Sequence, residues 1–158
     1  DVPANSVGPM ALERASRDHI ADSDAVANYL RSQADVPVWV VGTSRGTDSV
    51  ANLATNGEGS FDGAVFTSSV QNVLYYDLEK VTIPSLVLHN KWDGCWVSHP
   101  DNAEILYELL ENSQRRDLVW INSTEKKSAP CDAKSPHGFL GVERSAVNRI
   151  ASFIKSND

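Results

Sequence analysis

The chain has 158 residues, 41% hydrophobic and 22% charged, the composition of one ordinary globular domain able to bury a core. Its formal net charge is −7 with the acidic residues scattered, which argues against nucleic acid as a partner, since that needs clustered Lys and Arg. No apolar run approaches the ~20 residues of a membrane span, and the N-terminus shows no charged-then-apolar export signal; any such signal would lie outside these residues.

Residues 1–10 contain two prolines, a glycine and an asparagine and read as an extended lead-in. From about Met10 to Gln33 the spacing is helical. Ile20, Ala27 and Leu30, with Val26 and Ala34, are expected on one buried face, and Arg14, Asp18, Asp22, Asn28 and Arg31 in water. His19, among Asp18, Asp22 and Asp24, reads as part of a solvated face rather than a metal site. A β-branched run with Trp39, Val40 and Val41 predicts a strand over 37–42. A helix over 45–56 follows, with Val50, Leu53 and Ala54 as its buried stripe and Gly57 as its stop. Phe61 to Ser68 reads as a second strand and Val70 to Val81 as a short amphipathic segment. Pro84 opens a third strand, Ser85 to Asn90. Asp101 to Asn112 is the clearest helix, striped by Ile105, Leu106, Leu109 and Leu110. A fourth strand, Leu118 to Asn122, leads into a polar loop, Ser123 to Pro136. The last helix, Val142 to Lys155, carries Val147, Ile150, Ala151 and Ile154 on one face. Strands alternating with helices predict an α/β fold: a parallel sheet of about four strands with helices on both faces.

The chemistry begins at Gly42-Thr43-Ser44-Arg45-Gly46, a G-x-S-x-G motif between a predicted strand and a predicted helix. A sharp turn there would force Ser44 into a sparsely populated backbone conformation and lift its hydroxyl clear of the sheet. Gly42 and Gly46 would admit close neighbouring backbone. The Arg45 amide, at the helix start, is then the candidate oxyanion donor. A serine nucleophile needs a base, and the base needs a third group to orient it. Asp93 follows the third strand directly, and His137 lies between the fourth strand and the last helix, so both loops reach the carboxyl edge of a parallel sheet, where Ser44 also stands. Asp101 and Asp132 are reserve acids. His89, Asp93, Cys95 and His99 could be drawn as metal ligands, but they lack the paired spacing of a metal motif, so no metal or organic cofactor is expected.

The order Ser44, Asp93, His137, with the motifs G-T-S-R-G, H-N-K-W-D-G-C-W and S-P-H-G-F, resembles the C-terminal part of an α/β-hydrolase, and in particular exported bacterial serine hydrolases of the dienelactone-hydrolase-like kind. The resemblance implies Ser44 as nucleophile, His137 as general base and then acid, and Asp93 as the carboxylate that orients the histidine. Arg45, Thr43 and Trp92, beside Ser44 and Asp93 in the sequence, are the candidate oxyanion or substrate-binding residues. In those hydrolases a cysteine shortly after the acid accompanies one shortly before the histidine, so Cys95 and Cys131 are expected to form a disulfide, and the protein to be periplasmic or extracellular. The implied substrate is a small acyl compound.

The resemblance also exposes a gap, because the strands that normally precede the nucleophile strand are absent, together with the loop that supplies a second oxyanion amide. A partial α/β-hydrolase fold lacking those strands leaves one side of the nucleophile strand open. Either a missing N-terminal half or an edge-to-edge homodimer is expected to cover it. The non-catalytic alternative is a binding module that uses the open edge. An open, shallow site near Trp92, Trp96, Phe139 and Leu140 is expected, with these aromatics either lining it or anchoring the core.

Overall fold

The computed structural model describes residues 12–157, so the lead-in expected over residues 1–10 lies outside them. Among the described residues the main elements run α1 (Arg17–Gln33), β1 (Trp39–Thr43), α2 (Gly46–Asn56), β2 (Gly63–Thr67), β3 (Ser85–Asn90), α3 (Asp101–Leu109), β4 (Arg116–Ile121) and α4 (Glu143–Lys155). The first helix starts at Ser16, whose hydroxyl accepts the His19 N–H and caps the turn. Between β2 and β3 the expected amphipathic segment is two 3₁₀ turns, Gln71–Tyr75 and Leu78–Lys80. Val73, Leu78 and Val81 are buried there all the same, so the apolar pattern holds without α-helical geometry.

All four strands are parallel, in the order β1-β2-β3-β4. Parallel strands need crossovers, and those crossovers lay helices over the sheet. Alternation along the strands then sorts the side chains. Val40, Ala64, Phe66, Val87, Leu118 and Trp120 meet Val50 and Ala51 of α2 and Ala103 and Leu106 of α3 on one face. Trp39, Val65, Leu86, Leu88, Val119 and Ile121 meet Ala146, Ile150 and Phe153 of α4 on the other. Each fully buried side chain of this size contributes roughly 1.5–3 kcal/mol of transfer free energy. Trp39 lies across Gly63, where a Cβ would overlap its ring.

α1 departs from expectation. Of the residues assigned to its buried face only Ala27 is buried, while Val26 and Leu30 are largely exposed and Asp24 is buried instead. The helix and the segment just before it are tied on by polar contacts: Asn52 donates to the Arg14 carbonyl at 2.9 Å, and Arg31 reaches Asp62 at 2.6 Å. Its apolar side and β1 form a groove of about 440 Å³ whose lining includes Val26, Leu30, Val40, Val41, Leu53 and Phe61. β1 pairs only with β2, so among the described residues its other edge is open and Val41 remains 49% exposed. Periodicity identified an amphipathic helix, but the surface its stripe would cover is this open edge.

Candidate active site

Ser44 leaves β1 with φ of 53°, a left-handed conformation that few non-glycine residues adopt. The surroundings hold it there. Its N–H donates to the Thr67 carbonyl at 2.9 Å, its own carbonyl accepts from the Thr47 hydroxyl, and that hydroxyl accepts the Val70 N–H at 3.3 Å. A Cβ on Gly42 would overlap the Gly46 carbonyl and Val50, so the first glycine is required by close packing. The same room expected at Gly46 is not needed, since a Cβ there meets nothing within 4 Å. Arg45 immediately precedes α2, and its N–H has no hydrogen-bond acceptor among the described residues, leaving it free at the positive end of the helix dipole. Thr43 ties the strand ends together: its hydroxyl lies 2.7 Å from that of Thr67, which donates to the Gly42 carbonyl.

Asp93 and His137, far apart in sequence, meet in a buried hydrogen-bonded pair with Nδ1 2.8 Å from Oδ2. Asp93 Oδ1 accepts the Cys95 N–H at 2.9 Å, and the Ser98 hydroxyl lies 2.9 Å from Oδ2. Burial alone would raise the Asp93 pKa, but the hydrogen bonds from His137, His89 and the Cys95 backbone outweigh it. The carboxyl is held well below the usual carboxylate range. His137 is fixed through its backbone as well. Its N–H donates to the Ser135 hydroxyl at 3.2 Å, and its carbonyl accepts from Ser68 at 2.7 Å. Ser68 follows directly on Thr67, the partner of the Ser44 N–H, so the His137 loop and the Ser44 turn are both fastened to the end of β2. Among the described residues no hydrogen bond joins the Ser44 hydroxyl to the His137 ring.

Sequence reasoning missed several supporting residues. Asn90, at the end of β3, donates to the carbonyls of Ser123 at 3.1 Å and Pro136 at 3.0 Å, and its Oδ1 accepts the Trp92 N–H. His89, one residue earlier and so on the opposite face, lies 3.3 Å from Asp93 Oδ2. An amide and an imidazole closing an otherwise apolar strand just before the acid were the available signal. Of the reserve acids, Asp101 lies on the surface near His99, and Asp132 accepts the Ala129 N–H. Cys95 and Cys131 are joined in a disulfide with Cα atoms 4.6 Å apart, linking the acid loop to the histidine loop.

The aromatic residues divide. Trp92 and Trp96 are 59% and 77% exposed, whereas Phe139 is buried in the core beneath α4. Trp92 Nε1 donates to Asn122 Oδ1, which fixes the edge of the indole and leaves much of the side chain in solvent. Among the described residues no group of three or more His, Cys, Asp or Glu side chains could hold a metal ion, and no helix is long and apolar enough to cross a membrane.

No family model matches the chain, and no curated protein matches it in sequence. Solved structures do match. An esterase from Pyrococcus furiosus is similar at 12% identity and a TM-score of 0.64, covering 90% of this chain and 63% of its own. A monoacylglycerol lipase from Paleococcus ferrophilus is similar at 9% identity and 0.61, covering 88% and 76%. A cold-adapted esterase from an Arctic intertidal metagenomic library is similar at 19% identity and 0.54, covering 66% and 46%. The chain thus spans about half to two-thirds of the length of the two esterases. These likenesses show the fold: a four-stranded parallel portion of an α/β-hydrolase fold.

Proposed function

We propose that this chain carries the nucleophile, base and acid of a serine hydrolase that cleaves an ester or related acyl bond through an acyl-enzyme. The observation that carries the reading is the buried Asp93–His137 pair, anchored to the same strand end as a serine in a left-handed turn. His137 Nε2 takes the hydroxyl proton as Ser44 Oγ bonds to the substrate's acyl carbon, and Asp93, held ionised, stabilises the imidazolium. That proton passes to the departing alcohol oxygen, leaving the acyl group on Ser44. Water then adds with the same base, and collapse returns the proton to Ser44 and releases the acid. Such catalytic hydrogen bonds often tighten only with substrate in place, so the missing Ser44–His137 bond is compatible with this sequence of steps.

The Arg45 N–H supplies one oxyanion donor. Loss of a single such donor costs about 10²–10³ in rate, so a second is needed for full activity. We assign it to further polypeptide that covers the open edge of β1, either an N-terminal segment or a second copy of the chain. The disulfide fits a non-cytoplasmic location, read here as periplasmic or extracellular. The open edge and its apolar groove favour a second reading, a non-catalytic module that binds a partner there. A fluorophosphonate probe separates the two. Labelling that disappears in Ser44→Ala is expected, and no labelling of folded protein would overturn the hydrolase reading.

A further inference from the structure

His89 is fully buried and takes no part in the chemistry above. Its Nε2 lies 3.0 Å from the Ser98 carbonyl oxygen and 3.3 Å from Asp93 Oδ2. Both neighbours accept only, so Nε2 carries the hydrogen. Its Nδ1 is buried with no partner among the described residues, and its ring stands edge-on to Trp120. An orphaned nitrogen costs stability, and the cost is justified when the other nitrogen is needed where it is. Ser98 is buried as well, with its hydroxyl 2.9 Å from both Asp93 Oδ2 and His137 Nδ1. Oδ2 therefore gathers three neighbours, His137, Ser98 and His89, while Oδ1 takes the Cys95 N–H.

We propose that Ser98 and His89 are positioning residues for the Asp93–His137 pair. Ser98 donates its hydroxyl to the carboxylate, and His89 shares Oδ2 and holds the Ser98 backbone, so that the carboxylate cannot rotate away from His137. This inference rests on the reading of His137 as general base. The two donors also disperse the negative charge of Oδ2. Removing either one concentrates that charge on the bond to His137 and favours the imidazolium. The ionisable groups within hydrogen-bond reach of Asp93 are these two histidines alone among the described residues.

The test compares Ser98→Ala, Ser98→Thr, His89→Phe and His89→Gln with the unmodified chain. In Ser98→Ala and His89→Phe, kcat is expected to fall by up to about 100-fold, the cost of a misplacement near 1 Å, with KM little changed. The acid limb of the pH–rate profile should move to higher pH in both. Ser98→Thr and His89→Gln retain a donor and should return both measures toward the unmodified values. The proton between His137 Nδ1 and Asp93 Oδ2, 2.8 Å apart, is expected to give a far-downfield NMR resonance, a readout that needs no turnover. It should shift or broaden in Ser98→Ala and His89→Phe. An unmoved acid limb and an unmoved resonance would overturn the inference, as would an acid limb that moves down. If His89→Phe fails to fold, the Ser98 pair and His89→Gln still decide it. If the unmodified chain is not labelled by fluorophosphonate, the hydrolase reading falls while the resonance still tests the positioning role.

Discussion

Replacing both Cys95 and Cys131 by serine removes the one covalent link between acid loop and histidine loop. The bridge closes a sequence separation of 36 residues, for which chain entropy alone gives about 4 kcal/mol at 25 °C. Domains of this size have some 5–15 kcal/mol in total, so the double variant should remain folded at room temperature. Its Tm should fall by roughly 8–16 °C, at about 2–4 °C per kcal/mol for a chain this long. The local effect is expected to be larger. Cys95 supplies the N–H that holds Asp93 Oδ1, and Cys131 lies in the loop whose Pro130 and Asp132 carbonyls receive the Ser135 hydroxyl beneath His137. Both ends of the Asp93–His137 hydrogen bond therefore loosen together. The assay follows the rate of fluorophosphonate labelling at 25 °C alongside circular dichroism, before and after reduction of the unmodified chain and for the double variant. Labelling should slow while the spectrum is unchanged. A labelling rate that merely tracks the folded fraction on warming would refute the local role. An unaltered Tm would refute the bridge itself.

Other expectations follow from particular groups. Asp93 has a folded-state pKa below its unfolded value of about 3.9, so its ionisation contributes stability that is fully present above that value and lost as pH falls toward the folded one. Denaturant titrations should therefore show Asp93→Asn less stable than the unmodified chain at pH 7, with the gap closing below about pH 4. At the same position kcat should fall by about 10⁴-fold, because Asn no longer selects the histidine tautomer. Gly42→Ala should cost about 1–3 kcal/mol by overlap with Gly46 and Val50, whereas Gly46→Ala, facing open space, should be neutral or stabilising by about 0.5 kcal/mol in thermal melts. Val41→Lys, on the open strand edge, should weaken any concentration-dependent association seen by sedimentation. If the unmodified chain is monomeric at every concentration, self-pairing of that edge is excluded.

Where a local pattern decided the structure, it was legible. The apolar run Leu86, Val87, Leu88 after Pro84 marks β3 from Ser85 to Asn90, and G-T-S-R-G between strand and helix marks the turn that places Ser44 at positive φ. Asp93 and His137 could be named because a parallel sheet gathers its outgoing loops on one rim. What escaped notice depends on partners distant in sequence. Val26 and Leu30 have the spacing of a buried face, and only the sheet order shows that the strand beside them has no further neighbour among the described residues. Ser98, Ser135 and Asn90 are short polar residues in loops or at a strand end, with no periodicity to single them out. Their hydrogen bonds become visible only once the backbone is placed.

Because the strands are laid side by side in sequence order, the two halves of the site differ in how exposed they are to events at the open edge. The acid and the imidazole hang from β3 and from the connection after β4, and are braced by groups inside this chain. Ser44 and the Arg45 N–H follow directly on β1, the edge strand of the sheet among the described residues. If the proposed hydrolase reading holds, a neighbour docked at that border would act on the Ser44 turn directly and on the Asp93–His137 pair only through the intervening strands.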